Sequence, residues 1–494
     1  MKMLAEKALT ITLVILCASA WAAENLVGEE FDSKKWPGRM PPDQAAKLAP
    51  LVERTEQAMR RLDKEAVVEL VAKLREAHGK YAGVPEVCPE YVNPINANRP
   101  DLDRVVALWR KSFERMKGQN AWKRAPSLDA KQQTGDRLRV SLRHARAYLQ
   151  SCDAGIDGKD EFLQYALAGF DYIAACQGSN GCFGYPYHPG GPGLKTGAAE
   201  LVQRIVAAGK PFDQIVERGW IINDFRMGGG GLQFDNGMCG IGLIYAYADT
   251  GNSKYLDAAR RAGEWAIAQT IVRNWNYNCF SGQLLARLYR VTGEARFLDE
   301  ARHKFEVGVL PGQVENGRWV DQHNACIQYH SVMLRALIDY YLALVQAGDV
   351  EAERVKGHIL LGLGNLAEQI TKYGASNIHE MLSLDALSLG LLTFEDHPEW
   401  DRAANVCVNA ICDVALPMLE QRRMPITETI ASYYSLSQSH GRLRKSAGGR
   451  FQTGSGRVKM TADGRGALRM CKANSFMLAV VVHENPSVTD WRVS

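Results

Sequence analysis

Neither sign of charge dominates this chain of 494 residues: Lys and Arg total 59 against 55 Asp and Glu, a formal surplus of +4. An excess so small and so scattered excludes nucleic acid as the main partner and leaves room for acidic ligands. Long apolar runs are missing beyond the N-terminus, so no segment of the mature chain reaches the length a bilayer demands. No C-x-x-C pair occurs, and Cys407 and Cys412 stand five apart, which excludes a zinc ribbon and a thioredoxin-type redox site. No glutamate sits between helically spaced histidines as a zinc protease requires, and Gly228–Gly231 lacks the strand and the Lys-Ser/Thr of a phosphate loop. What remains, with 46% hydrophobic and 23% charged residues, is an ordinary folded protein of two to four domains or one large closed array of repeats.

The N-terminus reads as an export signal. Lys2 and Lys7 flank the entry to the apolar stretch Ala8–Ala20, and the small residues Ala20, Ala22 and Ala23 follow. Residues 1–22 are therefore expected to be removed, giving a periplasmic or secreted protein with no membrane span in the mature chain. Leu16 before Cys17 argues against lipidation. Cleavage removes Cys17 and leaves ten of the eleven cysteines in a compartment that permits disulfides. Cys176 and Cys182, separated by Gly-Ser-Asn-Gly, are the pair most easily joined, and both are equally readable as free thiols. Cys239, Cys279 and Cys326 read as buried thiols.

The strongest signal is internal repetition. Asn236-Gly-Met-Cys-Gly240, Thr250-Gly251 and Tyr255-Leu-Asp-Ala-Ala259 align without a gap on Asn278-Cys-Phe-Ser-Gly282, Thr292-Gly293 and Phe297-Leu-Asp-Glu-Ala301, at a constant offset of 42. Each copy holds an apolar helix (241–248; 283–291), a Thr-Gly stop and a second helix, which makes it a helical hairpin. Weaker echoes run through 140–172, through 326–347 with 351–370, and around Asp396–Trp400, with further helices at 51–81 and 101–117. The expected fold is all-α: residues 23–440 form a toroid of helical hairpins, and residues 441–494, rich in Gly and Arg, form a loop-rich tail packed on it.

The inner-helix starts carry a resemblance. Gly230-Gly-Leu-Gln-Phe-Asp-Asn-Gly237, its repeat Asn274-Trp-Asn-Tyr-Asn278, and Asp321-Gln-His-Asn-Ala-Cys-Ile-Gln-Tyr-His330 resemble those of the (α/α) toroid superfamily, over about residues 140–416. That superfamily includes six-hairpin glycosidases and toroid polysaccharide lyases acting on alginate, glucuronan, chondroitin or heparin. The resemblance implies a ring, with the first helix of each hairpin aimed at a common cleft.

In such a ring Asp235, Asn236, Asn278, His323, Asn324, Asn377, His379 and Glu380 converge. Helix capping explains Asn236 and Asn324 as well as function does, since Asn and Asp are favoured N-caps. His323 and His330, seven apart, return to nearly one helix face; a general base is favoured over a metal site, because no third ligand is evident. A structural histidine explains His330 equally. No cofactor is expected. Arg143 and Arg335, together with Arg137, Arg139 and His144, are candidates to bind carboxylates. Tyr185, Tyr187 and His188 lie in a loop of aromatics and turn formers suited to stacking on sugars, or to plugging a gap between hairpins.

Neutral Asn beside His and Tyr suits β-elimination of a uronate polymer, in which the carboxylate next to the acidic C5 proton must be neutralised before a base removes that proton. By resemblance Asn278 or Asn236 neutralises, His323 is the base and Tyr329 the nearest acid, with His330 in support. The expectation is a polysaccharide lyase on an alginate- or glucuronan-like polymer. Two alternatives stand beside it. One is a six-hairpin glycoside hydrolase, such as an unsaturated uronyl hydrolase, pairing Asp235 with Glu380 or Asp385. The other is a non-catalytic glycan-binding protein.

Overall fold

The structure is a computed structural model that describes residues 38–86, 95–101, 103–104, 107, 137–153, 159–187, 197–374, 380–394 and 397–420. The export signal, the tail at 441–494, His188, Asn377 and His379, and most of the helix expected at 101–117 lie outside the described residues.

Two helices, α1 (Pro42–Arg60) and α2 (Lys64–His78), form a first hairpin, with the Asp63 carboxylate capping α2 by accepting from the Ala66 amide. Five more hairpins follow among the described residues: α3 (Leu138–Asp153) with α4 (Lys159–Ala175), α7 (Gly231–Thr250) with α8 (Ser253–Ala268), α9 (Trp275–Thr292) with α10 (Ala295–Gly308), α11 (Ile327–Ala347) with α12 (Ala352–Tyr373), and α13 (Glu380–Thr393) with α14 (Pro398–Glu420). The first helices pack side by side in chain order, α3 on α7, α7 on α9, α9 on α11 and α11 on α13. The second helices lie outside them, and α8 only grazes its outer neighbours α4 and α10. Around α8 the inner contacts are tight and the outer ones splayed, which curves the layers there, while α12 and α14 pack closely on each other. That curvature is the two-layer build of an (α/α) toroid.

Sequence explains the layering. α7, α9 and α11 are buried along most of their length, as helices apolar on nearly all sides must be. Close approach is allowed by small residues: a Cβ added at Gly237 on α7 would stand 2.5 Å from the carbonyl oxygen of Phe280 on α9. The Thr-Gly stops repeat in atomic detail. Thr250 Oγ1 donates to Ala246 and Thr292 Oγ1 to Leu288, while Gly251 and Gly293, both left-handed, close α7 and α9 through their amides.

The segment between α4 and α7 departs from the all-helical expectation. It carries α5 (Gly197–Ala207), one helical turn α6 (Phe212–Ile215) and a small antiparallel sheet in the order β1 (Tyr185–Pro186), β3 (Trp220–Ile221), β2 (Val216–Glu217). The sheet pairs backbone groups that a long connection would otherwise leave without partners. Its apolar side, with Leu201, Val202, Ile205 and Ile215, forms a second small core. Cys176 and Cys182, at its base, are buried and free.

The inner helices begin earlier than the hydrophobic pattern indicates, at Gly231 and Trp275, so Asn236 and Asn278 lie inside the first turns and cap nothing. Both are fully buried and both clasp backbone. Asn236 Oδ1 accepts from the Phe183 amide at 3.1 Å and its Nδ2 donates to the Ala262 carbonyl of α8 at 3.0 Å. Asn278 Oδ1 accepts from the Val272 amide at 3.0 Å, and its Nδ2 donates at 2.8 Å to the carbonyls of Val272 and of Gly308 on α10. His330, fourth in α11 as Asn278 is fourth in α9, repeats the device: its Nε2 meets the Gly362 carbonyl of α12 at 3.0 Å. A carbonyl only accepts, so Nε2 carries the hydrogen. In these three hairpins a polar side chain of the inner helix is spent on the backbone of its own outer helix. The expectation that Asn236, Asn278 and His330 serve catalysis is corrected: both asparagine amides and the Nε2 of His330 are engaged by protein backbone inside the wall. Replacing Asn278 by Ala should strand the Val272 amide and the Gly308 carbonyl and lower unfolding free energy by about 2–4 kcal/mol. Chemical denaturation checks this, and an unchanged midpoint would return Asn278 to the candidate site.

Candidate active site

The first turns of the inner helices bring a different set of side chains together. Arg137, Arg139 and Arg143 come from the start of α3, Phe234 and Asp235 from α7, Tyr277 from α9, Tyr329 from α11, and His323 from the turn before it. Tyr185 joins them from β1; its hydroxyl rests against the start of α7, where a Cβ on Gly231 would come within 2.2 Å of it. The N-cap residues of α7, α9 and α11 make no side-chain cap bond, although Asn324 Oδ1 takes the Asn276 amide of α9, so the remaining first-turn amides add positive potential to that of the arginines.

Asp235 is the chemical centre. It is 0% exposed, one oxygen lies 3.2 Å from Arg139 Nη1, and the other, Oδ1, has no hydrogen bond. Burial pushes its carboxyl up to about 6, and the charges of Arg139, Arg137 and Arg143 hold it from rising further. Burial also raises the phenols of Tyr185, Tyr277 and Tyr329, which stay protonated as donors. Behind Asp235 lie the buried thiols Cys182 and Cys239, pushed well up by burial and by the nearby carboxyl. They are inert for the same reason.

Aromatic rings organise the mouth. The Arg139 guanidinium sits over the Phe234 ring at 4.4 Å, and Arg137 over Tyr185 at 5.6 Å. Phe234 packs in turn on Phe280 at 4.1 Å and stacks towards Tyr277 at 6.5 Å between centroids. On the far side His323 is exposed and its ring lies 4.5 Å from that of half-buried Tyr329. The α1–α2 hairpin flanks this side: the Met40 amide donates to Gln322 Oε1 at 2.7 Å, and the Glu86 amide to the Gln322 carbonyl at 3.1 Å.

Of the expected site residues, Asp235, Arg143, Tyr185, His323 and Tyr329 fall in or beside this cluster, and Arg143 is exposed there. Others are spent elsewhere. Asn324 is buried and locked, its Oδ1 accepting from Asn276 and its Nδ2 donating to Asp321. Arg335 pairs at 3.2 Å with buried Asp385 on α13, so its charge holds two helices together instead of meeting a substrate. Tyr187 packs edge-on against Phe212 at 5.4 Å in the small second core, which makes it a plug. His144 is buried in α3. Glu380 opens α13, with its backbone alone described. Tyr277 and Phe234 were missed by sequence reasoning. Their signal was present, because Tyr277 stands between the two asparagines of the repeat, but an aromatic there reads first as core.

Among the described residues no group of three or more His, Cys, Asp and Glu is placed to hold a metal ion, and no helix is long and apolar enough to cross a membrane. No family model matches the chain, and no curated protein matches it either. Ten solved chains match by structure. One is a glycosyl hydrolase family 88 protein from Bacteroides vulgatus, at 11% sequence identity and a TM-score of 0.42, over 63% of this chain and 85% of that one. A likeness of this size carries no argument of its own, and the chemistry rests on the geometry of the cluster.

That geometry fixes a stability signature. Folded Asp235 keeps its proton up to about pH 6, whereas an unfolded aspartate keeps its own only to about pH 4. Between those values the folded state binds more protons, so stability falls as pH rises through the window, by on the order of 3 kcal/mol. Asp235→Asn should remove that component, and parallel pH dependences of wild type and variant would contradict the burial argument.

Proposed function

We propose that the chain is a carbohydrate-active enzyme that cleaves a uronic-acid sugar, with Asp235 as its proton donor. The observation that carries this reading is the carboxyl itself: buried, holding its proton to about pH 6, with one oxygen unbonded and three arginines around it. A carboxylic acid kept protonated near neutrality is what a general acid requires. The arginines supply the complement to a sugar carboxylate, and Tyr185, Tyr277 and Phe234 supply flat faces beside it.

Among the described residues Asp235 is the acid paired with an arginine of this cluster, which favours a particular hydrolysis. Ordinary glycoside hydrolysis uses two carboxyl groups flanking the bond, and Asp385, the described candidate for the second, is tied to Arg335. An unsaturated uronyl sugar is an enol ether, which opens to water once a single proton reaches its double bond. Asp235 delivers that proton while the arginines hold the carboxylate. With the export signal expected at residues 1–22, the proposal puts this work in the periplasm or outside the cell.

The exposed His323–Tyr329 pair favours a second reading, β-elimination of an intact polymer, with His323 as base and the arginines replacing asparagine as neutralisers. One measurement separates the two by sign. Unsaturated uronyl oligosaccharides should lose their ultraviolet absorption under the hydrolase; alginate or glucuronan should gain it under the lyase; neither change, with binding intact, leaves a glycan-binding protein. For the hydrolase, kcat/KM should fall as pH rises through about 6, where free Asp235 loses its proton, and Asp235→Asn should cost roughly 10²-fold or more.

A further inference from the structure

Arg139 stands in an unusual position for a residue that only binds substrate. Its guanidinium joins the fully buried Asp235 carboxyl, 3.2 Å from Oδ2, to solvent: it sits over the Phe234 ring and its side chain is 18% exposed. The contact is a single one. Nη1 meets Oδ2, Oδ1 is left unbonded, and the two-pronged pairing that locks an arginine on a carboxylate is not made. Arg137 and Arg143 are close enough to act on the same carboxyl, so a mobile anion entering the mouth meets three guanidiniums facing one buried acid.

We propose that Arg139 is a positioning residue, a latch that closes over Asp235 in the empty protein and is drawn off it by the carboxylate of an acidic sugar. This rests on the acidic-sugar reading above and deepens it: the ligand's own charge opens the acid. An incoming carboxylate competes for the guanidinium with an exposed, two-pronged geometry that Asp235 does not offer. Once Arg139 turns to the ligand, Oδ1 and Oδ2 are uncovered towards the sugar, and Asp235 faces a second negative charge with one fewer positive neighbour. Both changes favour its protonated form, so the carboxyl takes up one proton from solvent as the ligand binds. The other groups facing Asp235 do not oppose this. Tyr185 and Tyr277 are neutral phenols, Cys182 and Cys239 are neutral thiols, and Arg137 and Arg143 are themselves drawn to the ligand anion.

Calorimetric titration of the full chain with glucuronate at pH 7, in buffers of differing ionisation enthalpy, reads the proton directly. Wild type should take up most of a proton per glucuronate bound. Arg139→Gln, whose Asp235 has lost that guanidinium before any ligand arrives, should bind with markedly less uptake, and Asp235→Asn, which keeps the shape of the side chain, should bind without uptake. With an unsaturated uronyl substrate, the alkaline limb of kcat in wild type should lie above that of kcat/KM, and the two limbs should lie closer together in Arg139→Gln. Binding without uptake in wild type, or equal uptake in wild type and either variant, overturns the latch and leaves the acidic-sugar reading standing. Failure of glucuronate to bind wild type overturns that reading and the ligand-driven latch with it.

Discussion

A polar atom buried in a helical wall must find a partner there, and the first turns of the inner helices are where this chain meets that constraint. Asn236, Asn278 and His330 meet it by reaching outward to backbone carbonyls of α8, α10 and α12, so that each hairpin is fastened across its own layers. Deeper in the wall, Arg287 and Gln283 of α9 meet it by closing on Asp339 of α11, each at 2.7 Å. Asp235 neighbours Asn236 yet turns the other way, and keeps one oxygen unpaired. A buried carboxyl in that state costs free energy that the surrounding clasps have to offset. The clasps of Asn236, Asn278 and His330 surround the site with fastened hairpins.

The same arrangement gives the mouth its sign. Three inner helices have N-cap residues that make no side-chain cap bond, and the start of α3 adds three arginines, although the protein as a whole is nearly neutral. Net charge therefore says little about the sign of this cluster, which the local arginines make positive. Rings from α7 and β1 lie under the Arg139 and Arg137 guanidiniums, and a ring of α9 stacks towards the first of them.

Much of the architecture was legible in the sequence. The offset of 42 between the Asn236 and Asn278 segments identified the hairpin, and the Thr-Gly stops close α7 and α9 through matching bonds. Direction was harder to read. Hydrophobic periodicity began at Ile241 and Gln283, because Asp, Asn and Gly in the first turns break the pattern, and the helices start well before that. Asparagines taken for loop residues at a cleft are therefore wall residues facing the outer helices, and spacing along a chain cannot tell one radial direction from the other. Asp235, Arg139 and Arg143 were all nominated, but the pairing of Arg139 with Asp235 is a contact across 96 positions, which no local motif encodes. The small sheet around Tyr185 escaped for another reason: strands of two residues leave no period to detect.

The account's central claim is that a sugar carboxylate lands on the arginines of α3 with its scissile end turned to residue 235. A crystal structure of the Asp235→Asn protein with an unsaturated uronyl disaccharide tests it most directly. The account predicts the ligand carboxylate against Arg139 and Arg143, a ring face on Tyr185 or Tyr277, and the sugar double bond towards the side chain at 235. A disaccharide seated away from this mouth, or bound there with its carboxylate pointing to solvent, would contradict it.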